Sequence, residues 1–387
     1  MNKKLMAVAV AGALAAPAVA FAQASNVQIY GRANLGFSNV EAKGATAANS
    51  DLKSRNQVYD QGSRLGVRGT ENLGGGLKAV FQIESGVNMD TGSQTGADGA
   101  ANASTGFLAS RDSWAGIAGN WGQVTFGRQN VWWTNANDLT QAAYINVGLQ
   151  YATGGFGRLM GGPSARTNNV VAYQSPVWSG FGVNLAYAPQ SEAAGAGANA
   201  DGQLWGLTLL YRGNSPFVAQ LDVARKEVTT PAAGSQNVTT GTKLGLAWKY
   251  ASAGQVSATF IRIQNDNAAA VAGYSAATDQ LRQNAWQLNW THMFGNLQAM
   301  AQYGSQNDAS GCSVAGGCDD TGSKAFLLSA KYHLSKRTGV YVSYTQLNNE
   351  RRQNNDYNGG NMGVAARGAL PAGADPRIFA VGVLHNF

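Results

Sequence analysis

Three histidines, two cysteines and one run of three glycines are the residues of this 387-residue chain whose types invite a chemical reading. Acyl transfer needs a nucleophile, a base and an orienting acid brought together. No local motif for a Ser/His/Asp lipase or an Asp/His protease surrounds His292, His333 or His385. Cys312 and Cys318 are the only cysteines, with five residues between them in a Gly-rich stretch. In an exported chain such an even pair reads as a disulfide, and a metal would need more ligands than the segment offers. Gly74, Gly75 and Gly76 precede an apolar alternation and lack the Gly-Lys-Ser/Thr of a phosphate loop, so they read as a turn. Lys336 and Arg337 read as a hairpin turn, not a patch for nucleic acid. Nothing calls for a cofactor. What remains is charge at strand spacing. Arg32, Arg64, Arg68, Lys78 and Glu84 share the polar parity of alternating segments, and their chemistry would be to attract or repel a passing ion.

The segments that carry these charges alternate with period two. Val27, Ile29, Ala33, Leu35 and Phe37 take one parity against Gln28, Tyr30, Arg32 and Asn34. Leu65 and Val67 alternate with Arg64 and Arg68, and Leu77, Ala79, Phe81 and Ile83 with Lys78, Gln82 and Glu84. Leu244, Leu246, Trp248 and Tyr250 alternate with Lys243 and Lys249. Sixteen such segments are expected, starting near residues 27, 62, 76, 111, 122, 169, 180, 203, 216, 242, 255, 284, 296, 324, 338 and 377. Short turns such as Asn120–Gly122, Ala253–Gly254 and Phe294–Asn296 alternate with long polar loops, Ser85–Ser110, Asn130–Asn168 and Leu347–Pro376. Tyr187, Tyr211, Trp248, Tyr250, Trp290, Tyr303, Tyr332 and Tyr344 fall at strand ends, where an interfacial girdle would sit.

Composition points the same way. Only 13% of residues are charged, with 50 glycines and 8 prolines, where a soluble domain carries about a quarter charged residues. Beyond the N-terminus no 18 consecutive residues are apolar, as a membrane-spanning helix would require. A transmembrane barrel reconciles both facts, because its lipid-facing residues alternate with polar ones. The competing architecture is a secreted β-sandwich or propeller, whose alternation would face a dry core. The N-terminus carries Lys3 and Lys4, an apolar run from Leu5 to Leu14, Pro17, and the small-residue site Ala20-Phe21-Ala22. This is the pattern of a cleavable secretory signal. Cleavage is expected after Ala22, with Ala24 as the alternative. Residues 1–22 are thus a signal peptide and 23–387 a single barrel domain of formal charge +5 once Lys3 and Lys4 are removed.

Several stretches together resemble the trimeric general-diffusion porins of Gram-negative bacteria, particularly the β-proteobacterial branch. They are Val27-Gln28-Ile29-Tyr30-Gly31, Ser63-Arg64-Leu65-Gly66-Val67-Arg68-Gly69-Thr70-Glu71 running into Leu73–Ala79, and Gly122–Gln129. Tyr332–Thr338 with Tyr341, and the terminal His385-Asn386-Phe387, complete the set. The resemblance implies a 16-stranded antiparallel transmembrane β-barrel with an inward-folded third loop, a homotrimer, and a terminal Phe387 read by the barrel-assembly machinery. Its setting would be the outer membrane, among lipid and lipopolysaccharide. It also implies a constriction lined by Arg64, Lys78 and Glu84, with Arg68 and Arg111 as further candidates. The expected inward loop, Val131–Asn168, holds one acid, Asp138, against Arg158 and Arg166. Wall and loop are both net basic, and Arg158 is the loop's leading contributor. The expected function is passive passage of ions and small hydrophilic solutes with a moderate anion preference. These arginines could equally pair with Asp112 or Glu84 and anchor the loop. A substrate-specific channel, for which Trp132 and Trp133 are the only hint, and a surface adhesin are the alternatives.

Overall fold

The computed structural model describes residues 26–92, 108–130, 166–189, 203–230, 235–251, 253–266, 280–357 and 370–387. The leader, Arg158 and nearly all of the expected inward loop lie outside them. The strands are β1 (Asn26–Lys43), β2 (Leu52–Asp60), β3 (Arg64–Gly74), β4 (Leu77–Gly86), β5 (Ser113–Gly119), β6 (Gly122–Asn130), β7 (Arg166–Gln174) and β8 (Phe181–Ala188). They continue as β9 (Leu204–Arg212), β10 (Phe217–Thr230), β11 (Ser235–Tyr250), β12 (Gly254–Asp266), β13 (Leu281–Phe294), β14 (Leu297–Gln306), β15 (Ser323–His333), β16 (Thr338–Asn349) and β17 (Asp375–Asn386). Among the described residues there is no helix.

These segments form one antiparallel sheet. β3 pairs with the first half of β1 and β2 with its second half, so β2 and β3 are two lengths of one strand. Sixteen barrel strands result. β17 pairs with β16 on one side and with β1 on the other, from Arg32 opposite Asn386 to Lys43 opposite Asp375. That last pairing closes the barrel and leaves no free edge.

The second barrel strand begins at Leu52, ten residues before the sequence pattern starts. Lys53, Ser54, Arg55, Asn56 and Gln57 are polar on both faces, so this length carries no apolar alternation to read. It lies toward the long-loop rim, paired with the end of β1. β11 likewise starts at Ser235 rather than near residue 242, through a stretch rich in Gln, Asn and Thr.

The apolar parity faces outward. Ile29, Phe37, Ile83, Phe126, Leu246, Leu288, Leu328 and Val383 are among its exposed side chains. Aromatic pairs band this face at both rims. Toward the short turns, the Tyr250 hydroxyl receives a 2.6 Å hydrogen bond from Trp290 Nε1 and lies 3.1 Å from His292 Nδ1. Trp286 packs on Tyr303, and Phe326 on Tyr344, toward the long loops. His292 is therefore part of the outer girdle, as an amphipathic ring at an interface should be.

The inward face is not uniformly wet. Val40, Tyr59, Ile261, Ile263, Leu327, Leu347 and Ile378 form a buried apolar cluster on the inside of β1, β2 and β12–β17. The last long loop covers it. Tyr357 and Leu370 are nearly fully buried in the same cluster. Asn355 donates from Nδ2 to Gln306 Oε1 at 2.8 Å and to Ser323 Oγ at 2.9 Å, both on the inner wall. Thr345 Oγ1, also inward, donates to the Tyr357 hydroxyl at 3.1 Å. The described arms of the final loop, residues 350–357 and 370–374, thus fold into the barrel mouth.

At the seam, Gly31 and Phe387 exchange both backbone hydrogen bonds, at 3.0 and 3.1 Å. A Cβ on Gly31 would overlap the Phe387 ring and crowd the Arg64 carbonyl, so this position needs a glycine. Gly31→Val is expected to destabilise the closed barrel by about 1–3 kcal/mol, the usual cost of overpacking. The measurement is the urea midpoint of the folded, fast-migrating form on unheated gels.

Candidate functional site

Charges that alternation points inward converge on the wall of β1, β3 and β4. Glu84, on β4, is 6% exposed and lies between two guanidinium groups. Arg111 Nε is 2.5 Å from Oε1 and Arg64 Nε is 3.8 Å from Oε2. The Tyr30 hydroxyl donates to Oε2 at 3.1 Å. The fold explains the meeting. Tyr30 opposes Gly66, Gly66 opposes Glu84, and Arg64 opposes Gly86, so three adjacent strands bring the side chains to one spot. Gly66 is part of the design, because a Cβ there would overlap the Tyr30 ring. Arg111 joins from the segment before β5, anchored by its amide donating to the Glu84 carbonyl at 2.9 Å.

The cluster is net basic. Arg32 stands directly opposite Arg64 across the β1–β3 ladder, and like charges in that position repel. Lys331, on the inward parity of β15, lies within electrostatic reach of Arg32. Glu84 thus faces two arginines, while Arg32 and Lys331 stand farther along the wall, where the buried Asp60 carboxylate lies near Tyr341 together with Arg32. Glu84 is itself buried, and its two pairs hold Arg111 and Arg64 in fixed poses. Arg111 is the more enclosed partner and Arg64 the more open, at 12% and 32% side-chain exposure. Arg64 is accordingly the cation best placed to act on the lumen.

The remaining sequence-derived candidates lie elsewhere. Arg68 donates from Nε and Nη2 to Gln28 Oε1 at 3.0 and 2.9 Å and stacks over Tyr30, 5.0 Å from the ring centre. It flanks the cluster through Tyr30 without touching Glu84. Lys78 opposes Asn72 beside the Gly74–Gly76 turn. Six residues of strand separate it from Glu84, about 20 Å at strand rise, so the structure does not bring it to the cluster. Arg158 is outside the described residues. Arg166 pairs with Asp112 at 3.2 Å, one of the anchoring contacts weighed above. Cys312 and Cys318 are joined as a disulfide at the long-loop rim.

Sequence reasoning passed over three features. Lys331 was legible by parity, since Phe326, Leu328 and Tyr332 mark the outward face of its strand. Asp222 and Lys243 oppose each other across β10 and β11 and form a 3.1 Å ion pair, at 1% and 5% exposure. Thr208 and Gln220 donate to the same Asp222 carboxylate. The inward final loop had no periodicity to betray it. At its base, burial and the neighbouring Asp308 carboxylate raise the Glu350 carboxyl above its ordinary value, so this part of the mouth loses negative charge early on acidification.

Comparison with known proteins agrees with this architecture. A family model described as Gram-negative porin matches residues 7–352. An outer membrane porin protein of Bordetella pertussis is 34% identical over 199 residues, 48% of each chain. Outer membrane porin protein 32 of Delftia acidovorans is 32% identical over 232 residues, 59% of this chain and 60% of that one. The matches therefore span about half to three fifths of these relatives. Among solved structures, an anion-selective porin from Comamonas acidovorans superposes with a TM-score of 0.71 at 25% identity, covering 94% of this chain and 100% of the other. The OmpT outer membrane protein of Vibrio cholerae, in its trimer form, gives 0.62 at 15% identity over 94% and 99%, a likeness of fold alone. A closed 16-stranded barrel, a girdled outer face and a match over most of its length place this chain in the Gram-negative porin family, as a protein of the outer membrane.

Proposed function

We propose that the chain is a passive, water-filled diffusion channel for ions and small hydrophilic solutes, with a moderate preference for anions, and that it is not an enzyme. The observation that carries this reading is the inner-wall cluster in which Glu84 pairs with Arg111 and Arg64, with Arg32 opposite Arg64 and Lys331 within reach of Arg32. In an aqueous pore fixed charge is screened within about 8 Å at physiological salt, so only charge at a narrow passage selects. The Comamonas structure, described as anion-selective, supports the sign. The channel assembles as a homotrimer in outer-membrane lipid and lipopolysaccharide, after removal of residues 1–22. The assembly machinery reads Phe387. No cofactor takes part, and nucleic acid is not a partner.

The test is conductance of the purified, folded protein in a planar bilayer across a tenfold KCl gradient. Ohmic steps in groups of three, with a zero-current potential of the anion-preferring sign, are expected. Conductance with cation preference would keep the channel and discard the role of Arg64. Folded protein that never conducts would discard the channel.

A further inference from the structure

We infer that the Cys312–Cys318 disulfide is a positioning clasp that holds the final loop inside the barrel mouth and so sets the size of solute the channel admits. The inference rests on the channel reading above. It starts from an unbroken series of short contacts. The disulfide closes the loop between β14 and β15 on itself, and the Cys312 amide donates to Cys318 Sγ at 3.2 Å. The Cys318 carbonyl accepts a 2.7 Å hydrogen bond from Thr321 Oγ1, which in turn accepts from the Ala309 amide at 2.8 Å. Thr321, fully buried, offers its own carbonyl to Gln353 Nε2 at 2.6 Å. Gln353 belongs to the final loop and is also fully buried. Its carbonyl accepts from the Gly373 amide at 2.7 Å, tying together the outgoing and returning arms of that loop.

Two and four residues farther on, Asn355 and Tyr357 make their contacts with inward-facing side chains of β14, β15 and β16. The described arms of the loop therefore occupy lumen. Gln353 joins the outgoing arm to the disulfide segment, and Thr46 of the first loop donates to the Arg351 and Ala372 carbonyls of both arms at 2.6 and 2.8 Å. Parallel links reinforce the join. Gly322 donates to Glu350 Oε2 at 3.0 Å, the Arg352 amide donates to the Asp320 carbonyl at 2.9 Å, and Arg352 Nη1 donates to the Gly316 carbonyl within the disulfide loop. Besides the disulfide, segment 311–317 is held by the Gly317 amide donating to the Val314 carbonyl at 2.8 Å and by the Arg352 contact at Gly316. The disulfide adds a covalent hold on Cys318, whose carbonyl Thr321 bonds, to the hydrogen bonds by which Asp308 and Ala309 already hold Thr321. Both cysteines are half-buried and open to a small reagent.

The test uses the full-length trimer in liposomes and planar bilayers. A dithiol reductant delivers two electrons and two protons to the disulfide, giving two thiols and its own cyclic disulfide. Swelling rates with a monosaccharide and a trisaccharide read the size limit. Reduction is expected to raise the trisaccharide rate several-fold relative to the monosaccharide rate, and reoxidation with diamide to restore it. Gln353→Ala, which cuts the link with the disulfide intact, should give the same gain without reductant. Tyr357→Ala should give it as well. Heat-modifiable gel mobility should not change, which separates a moved loop from a damaged barrel. An unchanged size limit on reduction and in Gln353→Ala, with a gain in Tyr357→Ala, would overturn the clasp. No gain in any of the three would overturn the narrowing of the mouth by this loop. Failure to conduct before reduction would instead strike at the channel reading.

Discussion

Arg64→Glu lowers the anion preference about fivefold and brings the zero-current potential across a KCl gradient close to zero or reverses it. The estimate follows from position. Arg64 is the more open of the two arginines paired with Glu84, and the substitution changes the local charge by two units. A unit charge about 5 Å from the ion path contributes roughly 0.8 kcal/mol in water. Screening at physiological salt roughly halves this, so two units come to about 1 kcal/mol. The Arg111–Glu84 pair survives, because Arg111 holds the other carboxylate oxygen, and the fold should be unaffected. Arg64→Gln should give about half the shift. Lys78→Glu should give much less, because Lys78 is far along the strand from the cluster. A potential equally sensitive to Arg64 and Lys78 would place the selective region near the short-turn rim instead.

Lys243→Met destabilises the folded barrel by about 3–5 kcal/mol, the cost of leaving a buried charge without its partner. Asp222 would retain the donors Thr208 and Gln220 but no counter-ion. The double variant Asp222→Asn, Lys243→Met should recover most of the loss, since a buried pair replaced as a unit is often close to neutral. Urea titration of tryptophan emission in detergent measures both, and the double-mutant cycle isolates the coupling. A single variant as stable as the parent would mean that water reaches Asp222. The pair has no net charge, so the double variant should not move the zero-current potential as Arg64→Glu does.

Much of this was legible because a barrel wall obeys one rule. The parity that puts Ile83 against lipid puts Glu84 in the lumen, and it sorted Arg32, Arg64 and Lys243 correctly. It also found turns as short as Phe294–Asn296, where Gly295 takes a positive φ of 60°. Parity says nothing of height along the strand, and there the reading was weaker. Lys78 and Glu84 share a face yet lie at different levels. Whether Arg68 meets Glu84 or Gln28 depends on register, which strand sequences do not encode by themselves. Beyond the membrane the rule lapses altogether, and the polar β2 went unnoticed. Tyr357 is buried by a loop whose path depends on contacts from β14, β15 and the disulfide segment, none of them near it in sequence.

The seam between Arg32–Lys43 and Asp375–Asn386 has a kinetic consequence. Its twelve registered pairs join opposite ends of the chain, so the largest loop-closure entropy in the molecule falls on the contact that removes the last free edge. Such distant pairings form slowly. Until they form, β1 and β17 both present unpaired amides and carbonyls, the usual template for intermolecular association. Hairpins such as β13–β14 can arise early, but no partial barrel is safe in water. A chain truncated before β17 would therefore fail by aggregation rather than by weak folding, and the intact one depends on being held unfolded until both ends are delivered together.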